Sequence, residues 1–183
     1  IWRGPMVSRM TQQFFENVNW GKLDYLILDL PPGTGDIQLT LVQKIKLTGA
    51  VIVTTPQDLS HVDVKKGSDM FKKVDTPIIG VIENMVGASI SGKLSDVDIS
   101  KASLEINNNK INLDNKGNFN FIHNIFSGES GLKESQRLGL PLLGQIPLDY
   151  NLSESCDLGI PYVTNNLDSI IKLEFSKIAE AIF

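Results

Sequence analysis

The sequence predicts an α/β fold: a mostly parallel sheet with helices on both faces. Three observations predict it. Short runs that are apolar throughout recur along the 183 residues, as strands buried on both faces require. Stretches with apolar residues at helical spacing lie between them. Gly and Pro punctuate the changes.

Pro5 suits a first helical position, and residues 6–18 continue with a helical pattern. Residues 23–30 form a short apolar run between Gly21 and Pro31, read as a buried strand. Asp36 caps a helix over 37–45. Residues 49–55 (GAVIVTT) are a second strand, 60–74 a helix, and 77–84 (PIIGVIEN) a third strand. A helix over 130–138 ends at Gly139, followed by a fourth strand over 141–147. Residues 148–158 contain a short helix. Asp168 caps a last helix with Ile171, Phe175, Ile178 and Ile182 on one face. The whole reads as one domain, 1–183, with one interruption. From Gly87 to Phe121 the chain turns polar and Asn-rich, and 103–122 alternates at period two. That predicts an inserted β-hairpin or meander, with a loop as the alternative.

Composition bounds the function. The net charge of -4 mixes both signs, which argues against electrostatic nucleic-acid binding. No apolar run is long enough to span a membrane. The single cysteine, Cys156, forbids an intramolecular disulfide framework and fits a reducing cytoplasm. The opening IWRGPMVSRM has no initiator methionine and reads as the interior of a larger protein, so the sheet is expected to be incomplete at the N-terminus.

Ligands of parallel sheets bind beyond the carboxyl ends of the strands. The tips at 29–36, 55–58, 83–85 and 147–149 are therefore the places to find a site. The first is distinctive. An apolar run ends in Asp29 and enters PPGTGD. A carboxylate at a buried strand tip calls for a cation, and magnesium carried by a nucleoside triphosphate is a common one. Gly33 and Gly35 would let backbone amides approach a phosphate. A helix-capping aspartate in a plain βα turn is the alternative. Asn84 can equally be a turn residue, and Asp149 reads from its sequence context as a helix cap.

RGPM at 3–6, LDYLILDLPPGTGDIQLTL at 23–41, VIVTTPQD at 51–58, VIENM at 81–85 and PLLGQIPLD at 141–149 resemble the Mrp/ApbC family. These are P-loop ATPases that carry iron–sulfur clusters, related to the MinD/ParA ATPases. The resemblance covers the chain except 87–121 and implies a Rossmann-like P-loop NTPase fold. It implies that Asp29 holds magnesium through water. Gly33, Thr34 and Gly35 would form the switch loop that senses the γ-phosphate of ATP. Asn84 would bond the adenine edge, and Pro147, Leu148 and Asp149 would flank the base. It further implies ATP hydrolysis, a homodimer, a shared [4Fe–4S] cluster, and iron–sulfur client or assembly proteins as partners.

Two features depart from the family. No G-x-x-x-x-G-K-[ST] string is present, and neither SGK at 91–93 nor SGESG at 127–131 replaces it. This chain alone is therefore expected not to hydrolyse ATP. The Cys-x-x-Cys that follows ENM in the family is also missing, and no cluster ligands can be identified. Cys156 reads as a packed small residue, and His61 and His123 as surface or capping residues. Two further readings stand beside the cluster carrier: a MinD/ParA-like nucleotide switch, and a degenerate non-catalytic scaffold that docks partners through the insert.

Overall fold

Residues rich in Val and Ile, without charges to hydrate, pair most readily where both sheet faces are covered. The chain follows that rule at its centre. The computed structural model describes residues 4–30, 36–164 and 169–183. In it, β1 (Ala50–Thr54) and the first half of β2 (Ile78–Lys93) run parallel, with Ile52 opposite Val81. Strand β6 (Leu142–Leu148) takes the other edge of β2, also parallel, with Asn84 opposite Ile146. Helix α3 (Asp58–Lys73) connects β1 to β2, and α4 (Ser130–Leu138) leads into β6. Helix α6 (Ile170–Ile182) packs on β6. This is the α/β architecture that the apolar runs predict.

The core lies where α2 (Asp36–Lys44) and α3 meet β1 and β2. Val42, Ala50, Ile52, Met70, Phe71 and Val81 are buried there. Val81 is wholly inaccessible, and a side chain of its size contributes about 2 kcal/mol by leaving water. Gly139 closes α4 in the left-handed region, φ 68°, where a Cβ would be strained.

The polar segment is β structure. β2 does not stop at Asn84 but continues to Lys93, where β5 (Asn118–His123) joins it antiparallel. Ala88 faces both Leu148 and His123, so β5 lies on the β1 side of β2. Beyond this ribbon β3 (Leu104–Ile106) and β4 (Asn109–Ile111) form a separate two-stranded sheet. Together they make an arm past the strand tips.

Three expectations need correction. Residues 23–30 form no strand, because no described residue offers a backbone partner. Ile27 is 81% exposed; only Leu30, at the end of the run, packs against the core. Helix α6 is capped by Ser169, whose hydroxyl accepts the Lys172 amide at 3.1 Å; Asp168 lies outside the described residues. Along the predicted apolar face of α6, Ile171 and Ile178 are buried while Phe175 is exposed. Elsewhere α1 (Gly4–Glu16) starts just ahead of its predicted span, and α5 (Tyr150–Asp157) lies within residues 148–158.

Candidate functional site

Parallel pairing brings the carboxyl ends of β1 and β6 alongside residues 83–88 of β2. The register sets Thr54 beside Glu83, and Asn84 beside Ile146, the residue before Pro147. Two of the sequence-predicted groups are thereby neighbours at one end of the sheet. Asn84 is half-buried, and its Oδ1 accepts the Met85 amide at 3.0 Å. That bond fixes which way the side-chain amide faces. It leaves Nδ2 without a protein partner among the described residues, and a second lone pair on Oδ1. Met85 holds a left-handed backbone, φ 62°, so the chain bends immediately after Asn84. The site can thus offer a donor and an acceptor side by side, as the edge of an adenine requires.

Pro147 is buried and Leu148 is partly exposed. Both are the last residues of β6 rather than a free loop, because Leu148 extends the ladder opposite Ala88. Asp149 caps α5: its carboxylate accepts the Leu152 amide at 3.1 Å. The helix-cap alternative for Asp149 is therefore what the geometry displays. Asp29 is exposed at the end of 23–30. Gly33, Thr34 and Gly35 lie outside the described residues.

Behind the tips sits a carboxylate that the sequence did not single out. Glu83 is only 3% exposed. Its Oε1 accepts the Gly131 amide at 2.8 Å, and its Oε2 accepts the Gln145 side-chain amide at 2.7 Å. Glu129, at the N-cap of α4, makes no side-chain cap, so Glu83 supplies an acceptor from another element. The SGESG string acquires its reason here. A Cβ on Gly131 would stand 2.7 Å from that of Glu83, and one on Gly128 2.0 Å from the Pro56 carbonyl oxygen. The glycines let this loop lie directly on the β1 and β2 tips. The Ser130 amide donates to that same Pro56 oxygen at 3.2 Å, and its hydroxyl meets that of Thr54 at 3.1 Å.

A second buried acid ties α4 to α3. Glu134 is fully inaccessible. Arg137 holds it as a fork, Nε to Oε2 at 2.8 Å and Nη2 to Oε1 at 2.7 Å. The Ser68 hydroxyl donates to Oε1, and His61 Nε2 lies 3.2 Å from Oε2. Arg137 also reaches Asp69 at 2.9 Å. Burial pushes the Glu134 carboxyl up, but the Arg137 and Ser68 hydrogen bonds, the Arg137 charge and His61 outweigh it and hold it at about 2. His61 is thus a half-buried partner of a carboxylate, not a surface or capping residue, and His123 is a ladder residue of β5.

The residues do not fit a thiolate-held cluster. Cys156, the one cysteine, is exposed on α5 rather than packed. Residues 86–93 after Met85 are strand and contain no cysteine. Among the described residues no three of His, Cys, Asp and Glu converge as a metal site. No helix of the described residues is long and apolar enough to cross a membrane.

Comparison with known proteins agrees with this frame. The ParA profile described as NUBPL iron-transfer P-loop NTPase matches residues 1–102 and 106–183. An iron-sulfur cluster carrier protein of Methanocaldococcus jannaschii is 43% identical over 183 residues, which are all of this chain and 53% of that protein. The carrier of Synechocystis sp. is 39% identical over 182 residues, 100% of this chain and 44% of its own length. The chain thus spans about half the length of the curated relatives it matches. A nucleotide-binding protein from Archaeoglobus fulgidus, solved in complex with ADP, superposes with a TM-score of 0.58 at 31% identity, over 84% of this chain and 53% of that one. The cell division ATPase MinD of Pyrococcus furiosus superposes with a TM-score of 0.59 over 98% of this chain and 58% of that one. At 19% identity, it shows likeness of fold. The chain belongs to the NUBPL-type iron-transfer P-loop NTPases of the ParA family.

Proposed function

We propose that this chain supplies the base-binding and switch half of a nucleotide-dependent iron–sulfur cluster carrier. The observation that supports the reading best is the adjacency of Asn84 on β2 and Pro147–Asp149, where β6 ends and α5 begins. An adenine there would meet the free Asn84 amide on its edge and Pro147–Asp149 on its flank. Asp29, exposed at the end of its run, would hold magnesium through water. Gly33, Thr34 and Gly35 would sense the γ-phosphate, and an interface between two copies would respond. Bound ATP would supply that phosphate and the free energy of its hydrolysis. Phosphate-loop chemistry is not among the motifs of this chain, so hydrolysis is assigned to the whole protein.

The cluster would be cargo. This chain's own residues do not present a thiolate site for it, so no transfer step is drawn through them. That observation favours a second reading, a MinD/ParA-like switch that governs a protein partner instead of a cluster.

The test is ADP binding by titration calorimetry to the natural full-length protein. Asn84→Ala should weaken ADP about tenfold, the worth of one or two hydrogen bonds, and leave tripolyphosphate unaffected. Equal ADP affinity would place the base elsewhere.

A further inference from the structure

We propose that Glu83 is a positioning residue of the adenine site. The inference rests on the base-binding reading above and adds a residue to it. Glu83 pairs with Gln145 across the β2–β6 ladder, one step before Asn84 and Ile146. Its two oxygens bind Gly131 of α4 and Gln145 of β6, so three elements meet on a single carboxylate. The α4 backbone rests on the side chain itself, with no room for a Cβ at Gly131. Successive side chains of a strand point to opposite faces, so Glu83 turns toward α4 and does not contact a base held by Asn84. Its effect runs through the backbone. It fixes the height of the β6 tip, and with it Pro147, against Asn84.

The buried position makes the clamp stiff. A carboxylate out of water needs its donors, and both donors here are on the elements being held. Losing it would free β6 and α4 to shift against β2. Phosphate affinity should not change, because none of the elements the clamp joins, β2, β6 and α4, is assigned a phosphate contact. Base discrimination would change, because it depends on the spacing between Asn84 and the end of β6 at Pro147–Asp149.

The experiment measures affinities for ADP, inosine diphosphate and tripolyphosphate on the natural full-length protein, with melting temperature in parallel. Glu83→Ala should cut the ADP-over-IDP preference about tenfold and leave tripolyphosphate unchanged. Glu83→Gln should restore most of it. Its oxygen can still accept from Gly131, and Gln145 can turn its own oxygen to meet the new amide. A lower melting temperature with an unchanged preference would make Glu83 merely structural and overturn the proposal. If Glu83→Ala does not fold, Gln145→Leu, at an exposed position, removes one arm of the clamp. It should lower the preference about threefold, the worth of one modest hydrogen bond, and no change would again overturn the proposal. Asn84→Ala separates the two ideas. If it abolishes the preference while the Glu83 and Gln145 variants keep it, only the positioning role falls. If it too keeps the preference, the base-binding reading falls and takes the positioning role with it.

Discussion

Glu134 shows how much a single residue can hold. Its carboxyl sits at about 2 against an ordinary 4.5, so the folded state binds its proton less tightly than the unfolded one. Its contribution is complete above about pH 4.5 and is lost as pH falls toward 2; that shift corresponds to at most about 3 kcal/mol. Urea denaturation of the protein and of Glu134→Gln should therefore differ most at pH 7 and converge near pH 2. A constant difference would mean that the ion pair is not the source. Arg137→Ala should be the harsher change, about 3 kcal/mol or more at pH 7, because it strands a buried charge. Neither acid was legible in the sequence. Glu134 and Arg137 look like an ordinary exposed pair one turn apart on a polar helix. Only the packing of α3 reveals their partners, buried Ser68 and half-buried His61. Glu83 was hidden for the opposite reason: it ends an apolar run and reads as the strand's solvent-facing tip.

At the scale of elements, local pattern carried far where each element buries its own face. The helices α2, α3 and α4 and the strands β1 and β6 fall within a few residues of where spacing and Gly or Pro punctuation put them. Pattern failed where an element depends on a distant partner. β2 outruns its apolar stretch because β5 pairs with residues 88–93, and 23–30 forms no strand because no described strand pairs with it. The loop into α4 lies between these cases. SGESG looks like flexible punctuation, yet its glycines are there for close approach. Gly128→Ala should cost about 1–3 kcal/mol, since a Cβ would collide with the Pro56 carbonyl and backbone cannot give way cheaply. Gly67→Ala is the matched control. It lies within α3 with nothing within 4 Å of an added Cβ. It should stabilise by about 0.5–1 kcal/mol. Thermal melts of both variants check the pair, and the same sign for both would refute the close-approach account.

The whole molecule divides into a sheet that fixes a site and an arm that stands beyond it. The tips of β1 and β6 lie alongside β2, which continues past them and carries β3, β4 and β5 outward. The arm has its own turn chemistry: the Asp114 carboxylate accepts the Lys116 and Asn118 amides at 2.8 Å, and Ile111 is buried. It also carries an open pocket of about 420 Å³ lined by Ser100, Lys110, Asn112 and Asp114 among others. None of the core side chains belongs to it. The arm should thus be separable. The Leu94 amide donates to the Gly117 carbonyl, so Gly92 and Phe119 are a hydrogen-bonded ladder pair, the geometry from which a two-residue hairpin turn departs. Replacing 93–118 by Asn-Gly should keep the fold, since the β2–β5 pairing over 88–92, the Glu83 clamp and the core are left in place. The melting temperature should move by only a few degrees, the shift that about 1 kcal/mol makes in a domain of this size. ADP affinity should be unchanged, because the arm contributes neither Asn84 nor Pro147–Asp149. Loss of cooperative melting would show that β3 and β4 support the sheet, and weaker ADP binding would bring the arm into the site.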